Sequence, residues 1–271
     1  MSQSLSPKKV RTSTLGEFKA AGRKFSALTS YDHLTAGIFD AAGIDVLLVG
    51  DSAADAALGL HSTLAITVDE LIPFGRAVAS SAKRALVVLD LPFGSYEVSA
   101  EQALVTAIDM MKRTGVQALK LEGGVRSQAQ IQALVTAGIP VMGHVGFTPQ
   151  SVHSLGGFKV QGRGEAAAEL LAEAKAVEAA GAFAVVLEMV PADVAQMVTR
   201  ELTIPTIGIG AGPGCDGQIL VWTDMAGLDG GKPRKFVKRF ANLHQTLTDA
   251  ALQYRAEIAA GSYPSSDHSF E

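Results

Sequence analysis

Short apolar runs rich in β-branched residues alternate along this chain with longer stretches whose hydrophobic positions recur at helical period. Eight of the short runs read as strands: Phe25–Tyr31, Asp45–Asp51, Leu86–Leu91, Ala118–Glu122, Pro140–Val145, Ala184–Met189, Thr206–Gly210 and Ile219–Thr223. Helical period marks Val68–Lys83, Ala100–Arg113, Gln128–Thr136, Glu165–Ala179, Ala192–Thr199 and a long segment at Lys235–Ile258. Strand and helix alternating in this way is the pattern of repeated βα units around a parallel sheet. Four helix-to-strand junctions share a small residue followed by glycine: Ala42-Gly43, Thr114-Gly115, Ala137-Gly138 and Ala180-Gly181. Glycine suits the left-handed position that closes a helix, and its recurrence favours a cyclic (β/α)8 TIM barrel in the α/β class over an open doubly wound sheet.

The length of 271 residues suits one such barrel. The expected organisation is an N-terminal segment, 1–24, whose short helix Thr14–Ala21 caps one end, then a catalytic barrel over 25–260 and a mobile polar tail over 261–271. Hydrophobic residues form 48% of the chain and aromatics 6%, so the core is expected to be aliphatic, as a buried parallel sheet requires.

Charge and cysteine usage narrow the function classes. The net charge is -4 and the basic residues are scattered, which excludes an electrostatic footprint for nucleic acid. No apolar run nears the roughly 18 to 20 residues that span a bilayer, so no membrane partner is expected. With the single cysteine Cys215 no internal disulfide can form, and a reducing, cytoplasmic setting is expected. Residues 1–24 are basic and hydroxyl-rich like a transit peptide but have no apolar stretch, and they read as a mature start.

In barrels of this kind the reacting groups stand at the C-terminal ends of strands. Here those ends carry Tyr31-Asp32, Asp51-Ser52, Asp90, Lys120 with Glu122, His144, Glu188 and the run Gly208–Gly212. Three carboxylates on one rim, Asp51, Asp90 and Glu122, repel one another unless a proton or cation lies among them, and oxygen-only ligands favour a hard ion such as Mg2+. Lys120 and Glu122 are two apart and share one face. Glu188 follows Ala184-Val185-Val186-Leu187, and apolar surroundings would suit it as a general base. His144 could donate to a developing oxyanion, and the glycine run could receive an anion on its backbone N–H groups.

Each feature has a plainer reading. A strand-end Asp is often a helix cap, Lys120 could simply pair with Glu122, Glu188 could be a salt-bridged acid, and His144 could be a satisfied core histidine. Close packing explains a glycine run as readily as a ligand does, and Cys215 beside it reads as inert. His33, His61, His153, His244 and His268 share no ligand-like spacing and read as loop residues.

Taken together, several segments carry a resemblance. Thr29-Ser30-Tyr31-Asp32, Val49-Gly50-Asp51-Ser52, Asp90-Leu91-Pro92-Phe93-Gly94-Ser95-Tyr96, Lys120-Leu121-Glu122-Gly123-Gly124, Gly143-His144-Val145-Gly146-Phe147-Thr148-Pro149-Gln150, Glu188-Met189-Val190-Pro191, Ile207-Gly208-Ile209-Gly210-Ala211-Gly212 and Cys215-Asp216-Gly217-Gln218 closely resemble the ketopantoate hydroxymethyltransferase family, in family order from about Thr14 to Gly230. The resemblance implies transfer of a hydroxymethyl group from 5,10-methylenetetrahydrofolate to 3-methyl-2-oxobutanoate, giving 2-dehydropantoate in pantothenate synthesis. It implies Mg2+ on Asp51, Asp90 and Glu122, the oxo acid on Asp51, Ser52, Asp90 and Lys120, Glu188 as proton acceptor, and a homo-oligomer, a decamer in bacteria. Two rivals stand against it. An Mg2+-dependent 2-oxo-acid C–C lyase or phosphoenolpyruvate mutase-like barrel is disfavoured because no Lys-Lys-Cys-Gly-His-type segment occurs, and an inactive binding barrel would leave an anionic cluster idle.

Overall fold

The computed structural model describes residues 8–270; residues 1–7 of the expected N-terminal segment and Glu271 of the expected tail lie outside them. The chain divides into two compact units, one running to Val221 and the other beginning at Trp222. The first unit is a closed barrel of eight parallel strands in sequence order: β1 (Phe25–Thr29), β2 (Val46–Val49), β3 (Leu86–Asp90), β4 (Ala118–Glu122), β5 (Val141–Gly146), β6 (Ala184–Glu188), β7 (Thr206–Ile209) and β8 (Gly217–Leu220). The ring closes where Phe25 and Ala27 of β1 register with Gly217 and Ile219 of β8.

Helices stand before and between the strands: α1 (Thr12–Ala20), α2 (His33–Ala41), α3 (Ala53–Ala56), α4 (Val68–Ser81), α5 (Ala100–Thr114), α6 (Gln128–Thr136), α7 (Ala166–Ala179) and α8 (Ala192–Glu201). Their ends follow capping chemistry. Thr67 and Glu70 satisfy each other's backbone N–H groups at the start of α4, and Ser99 caps α5, which closes on left-handed Gly115. Asp32 accepts the N–H of Thr35 at 2.9 Å and so serves as the cap of α2.

The strands carry two apolar columns, as the period of two requires. One column, with Phe25, Ala27, Val46, Leu48, Leu86, Val88, Ala118, Met142, Ala184, Val186, Ile207 and Ile219, forms a single core cluster. The alternate residues, among them Val87, Leu89, Leu119, Leu121, Val185 and Leu187, are fully buried as well. Each such side chain withdrawn from water is worth about 1.5–3 kcal/mol, so burial on both faces is what holds the parallel sheet. Val10 and Leu15 of the N-terminal segment join the core cluster, and the N–H of Val10 donates to the carbonyl of Arg84 just ahead of β3. Leu15 therefore closes the end of the barrel at which the strands begin.

Several boundaries differ from the sequence expectation. Strand β8 begins at Gly217 rather than Ile219, because the glycine lets the Phe25 ring lie where a Cβ would be 2.4 Å away. Strands β1 and β2 stop at Thr29 and Val49, two residues short, so Asp51 sits in the turn after its strand. Helices α2 and α3 lack a clear helical period in the sequence; α2 leaves Leu34 and Ile38 exposed and buries only Ala36, which blurs the apolar stripe.

The second unit contains α9 (Trp222–Ala226) and α10 (Leu243–Ala260). The long helix expected from Lys235 starts eight residues later. The Phe240 N–H donates to the Met225 carbonyl of α9, and the Arg239 guanidinium holds Asp229 and the Gly231 carbonyl, which ties 239–240 to α9 and the loop after it instead of a helical turn. No helix among the described residues is long and apolar enough to cross a membrane.

Candidate active site

Follow the inward column of each strand to its C-terminal end and the residue type changes. Leu86 and Val88 lead to Asp90, Ala118 leads to Lys120 and Glu122, Met142 leads to His144, and Ala184 and Val186 lead to Glu188. Register sets these groups side by side, since Asp90 pairs with Lys120 and Glu122 with His144. Period two therefore aims five ionisable groups into one mouth of the barrel. Asp51 arrives differently, through the turn after β2. At Gly50 a Cβ would lie 2.8 Å from Ser52 Oγ and 3.3 Å from Asp90 Oδ2, so the absence of a side chain there is what lets the turn close onto β3.

Asp51, Asp90, Lys120, Glu122 and His144 are all buried. Lys120 Nζ lies 2.8 Å from Asp90 Oδ1, while Asp90 Oδ2 accepts the Asp51 N–H at 2.9 Å. Glu122 Oε2 accepts the Gln150 N–H at 3.0 Å, and its Oε1 lies 3.4 Å from His144 Nδ1. The other ring nitrogen, Nε2, is 3.3 Å from Glu188 Oε2, within ion-pair range but off the hydrogen-bond line. Ser52 Oγ shares a 2.7 Å hydrogen bond with the Tyr31 hydroxyl. The structure thus brings Asp51, Asp90, Lys120, Glu122, His144 and Glu188 into one linked set of contacts, with Ser52 next to Asp51 in the turn and bonded to Tyr31.

The charges in this set perturb one another in a definite order. Burial, then repulsion from Asp90 and Glu122, pushes the Asp51 carboxyl up to about 8. Burial raises Asp90 as well, against the pull of Lys120. For Lys120 burial opposes the charge, but Asp90, Asp51 and Glu122 outweigh it, so the group is an ammonium at any physiological pH and acts as an electrostatic partner, never a base. Burial and Lys120 likewise oppose a charged His144, yet the facing Glu122 and Glu188 carboxylates lift it to about 9. An imidazolium Nδ1 has no lone pair for Lys120 Nζ 3.4 Å away, so that contact is a repulsion rather than a hydrogen bond.

Two sequence expectations change on this geometry. The Glu188 carboxylate does not look onto an apolar wall, because Leu187 and its apolar neighbour Val185 point to the opposite face and His144 stands before it. His144 directs its two nitrogens at glutamates rather than at an open oxyanion position. The glycine run 208–212 reads as packing: a Cβ at Gly208 would meet Cys215 Sγ at 3.0 Å, and one at Gly212 would meet Ala192 at 2.4 Å. Sequence reading gave no role to Tyr31, Tyr96 or Gln150. All three lie within the recognised segments, but neutral side chains carry no charge pattern to betray them.

The fit of a metal ion can be judged from the donors. Buried carboxyl oxygens of Asp51, Asp90 and Glu122 dominate, and Glu122 Oε1 accepts no hydrogen bond. That chemistry suits a hard divalent ion. Among the described residues no three His, Cys, Asp or Glu side chains are already grouped around one point, because Lys120, Gln150 and His144 tie the acids individually.

A parallel eight-stranded barrel with buried acids, a lysine and a histidine crowded at its C-terminal mouth has the layout of a barrel enzyme. Comparison with known proteins gives the particular family. Residues 9–266 match the family described as ketopantoate hydroxymethyltransferase. Relatives named 3-methyl-2-oxobutanoate hydroxymethyltransferase include one from Leifsonia xyli subsp. xyli, 62% identical and covering 98% of this chain and 96% of its own, and one from Saccharopolyspora erythraea, 60% identical over 97% and 90%. The chain belongs to the ketopantoate hydroxymethyltransferase family and is a hydroxymethyltransferase.

The fold is shared more widely. A phosphoenolpyruvate phosphomutase from Streptomyces platensis subsp. rosaceus superposes with a TM-score of 0.62 at 17% identity, covering 92% of this chain and 88% of that one. A 2,3-dimethylmalate lyase does so at 0.59 and 18%, with the same coverage. These likenesses concern architecture alone; the family match sets this chain apart from the mutase and lyase rival.

Proposed function

We propose that this chain transfers a hydroxymethyl group from 5,10-methylenetetrahydrofolate to 3-methyl-2-oxobutanoate, giving 2-dehydropantoate, with Mg2+ as its cofactor. The observation that carries this reading is a buried acid cluster short of a cation, linked through His144 to a partly exposed carboxylate, Glu188. Asp51 and Asp90 would hold the ion, with Glu122 completing the acidic wall. When bound, Mg2+ supplies Lewis-acid polarisation of the oxo acid's carbonyl.

The protein's own groups do the rest. Lys120, fixed as an ammonium, attracts the substrate carboxylate and steadies the carbonyl oxygen as it gains charge, and Ser52, held by Tyr31, offers a hydroxyl beside it. Glu188 takes the proton from C3 of the oxo acid, and the C–H electron pair moves toward the carbonyl. His144 aims Glu188 by setting its ring Nε2 3.3 Å from the carboxylate. C3 then forms its new bond to the methylene carbon, water adds a hydroxyl to that carbon, both of its bonds to folate nitrogens break, and tetrahydrofolate leaves with one proton from water and the one that Glu188 took from C3. The protein is further proposed to work in the cytoplasm as a homo-oligomer, a decamer by analogy with the bacterial family.

Exchange of the C3 proton of 3-methyl-2-oxobutanoate in D2O tests the central step without the folate. Exchange should require Mg2+ and fall by about 10^2–10^4-fold in Glu188→Ala. Exchange indifferent to both the metal and the substitution would overturn the mechanism. Product formation that proceeds without methylenetetrahydrofolate would overturn the donor assignment.

A further inference from the structure

Gln150 lies in the tight turn Pro149–Ser151 that follows β5, and Tyr96 lies in the loop between β3 and α5; both are buried. The Tyr96 hydroxyl donates to Gln150 Oε1 at 2.6 Å. It also receives the N–H of Glu122 at 3.3 Å. On the far side of the amide, Gln150 Nε2 donates to Asp51 Oδ2 at 3.0 Å and to the Leu91 carbonyl at 3.1 Å. The Gln150 backbone N–H meanwhile reaches Glu122 Oε2 at 3.0 Å.

These contacts admit one direction. A phenolic hydroxyl both donates and accepts, and Tyr96 has one partner for each role. A tyrosine hydroxyl has one proton, and with the Glu122 N–H pointing at its oxygen that proton goes to Gln150. The amide oxygen is thereby fixed toward Tyr96, and both amide hydrogens face acceptors. A flipped amide would set its oxygen against Asp51 Oδ2 and the Leu91 carbonyl, losing both of those donor contacts. The chain from Glu122 N–H through Tyr96 and Gln150 to Asp51 is therefore polarised toward the carboxylate, and it spans the ends of β4, β5 and β3 to reach the turn after β2.

We propose that Tyr96 and Gln150 are positioning residues of the active site, a one-way hydrogen-bond chain that holds the Asp51 carboxylate in the orientation that receives the metal ion. This rests on the proposed role of Asp51 toward Mg2+. Tyr96 makes no hydrogen bond to Asp51 and reaches its carboxyl through Gln150.

Calorimetric titration of MgCl2 into the full-length protein, without substrate, tests the chain on wild type, Asp51→Asn, Tyr96→Phe, Gln150→Met and the Tyr96→Phe/Gln150→Met double variant, with a thermal melt of each. Asp51→Asn should abolish binding. Tyr96→Phe and Gln150→Met should each weaken it by about 10- to 100-fold, the usual effect of losing a partner that orients a ligand. The double variant should bind no more weakly than Gln150→Met, because one pathway is interrupted twice. Raising MgCl2 should restore proton exchange in Tyr96→Phe, which a merely structural role would not allow. Wild-type affinity in Tyr96→Phe and Gln150→Met, alongside loss in Asp51→Asn, would overturn this proposal and leave the metal reading standing. Wild-type affinity in Asp51→Asn would overturn the metal reading and this proposal with it. Should Gln150→Met fail to fold, Tyr96→Phe removes one oxygen only and decides the matter alone.

Discussion

At the scale of single residues, the site is a set of charges that are tolerable only in company. Lys120 and Asp90 meet at 2.8 Å with both side chains buried, and neither has water to fall back on. Removing one partner strands the other, which costs about 3–5 kcal/mol for a buried pair. Lys120→Met should therefore lower the urea unfolding free energy by about that amount, and adding Asp90→Asn should recover part of it. A Lys120→Met variant as stable as wild type would show that the pair is far better hydrated than its burial indicates. Beside the proposed base, Met189 adopts a left-handed backbone, φ 49°, that non-glycine residues rarely accept. That strain falls directly after Glu188 and turns the chain away from the strand at the residue whose side chain must face the mouth.

At the scale of elements, the position of His144 depends on how closely α7 packs on β5. Gly143 precedes it, and a Cβ there would stand 2.4 Å from Val177 Cγ1 on the helix. The glycine removes a side chain from the outer column so that helix and strand can touch, and the inward histidine is seated by that contact. Gly143→Ala should push α7 outward and destabilise the barrel by about 1–3 kcal/mol through overpacking, measurable as a lowered thermal midpoint. An unchanged midpoint would mean that the interface has slack.

At the scale of the whole molecule, the acid cluster links stability to pH. The folded protein holds the Asp51 proton up to about 8 against an ordinary 3.8, and the His144 proton to about 9 against 6.5. Both folded values are raised, so each group's contribution is complete below its unfolded value and is lost as pH climbs through the folded one. In metal-free buffer the unfolding free energy should consequently decline between pH 6.5 and 9. Millimolar Mg2+ should flatten the decline, since a cation on Asp51 replaces the proton. Urea titrations across that range with chelator and with Mg2+ check both parts; a rise with pH in chelator would contradict the burial of these groups.

Much of this was legible in the chain itself because two periodicities are local properties. Alternation at period two and near 3.6 marks strands and helices wherever each buries one face or both, and from eight such strand runs with glycine at the helix-to-strand junctions the closed parallel barrel followed. The strand ends already singled out Asp90, Lys120, Glu122, His144 and Glu188, and parity already put Lys120 and Glu122 on one face. What the chain could not disclose is distance between groups far apart in sequence. Asp51 lies outside the strand parity altogether, and its position depends on a turn packed against β3. The surroundings of Glu188 were misread because its sequence neighbours project to the other face, whereas His144, 44 positions earlier, stands against it. Tyr96 and Gln150, 54 positions apart, acquire their roles only when β3 and β5 close around β4. Local propensity and pattern determined the fold; which polar atoms face one another, and so which charges are borne, was decided by closure of the barrel.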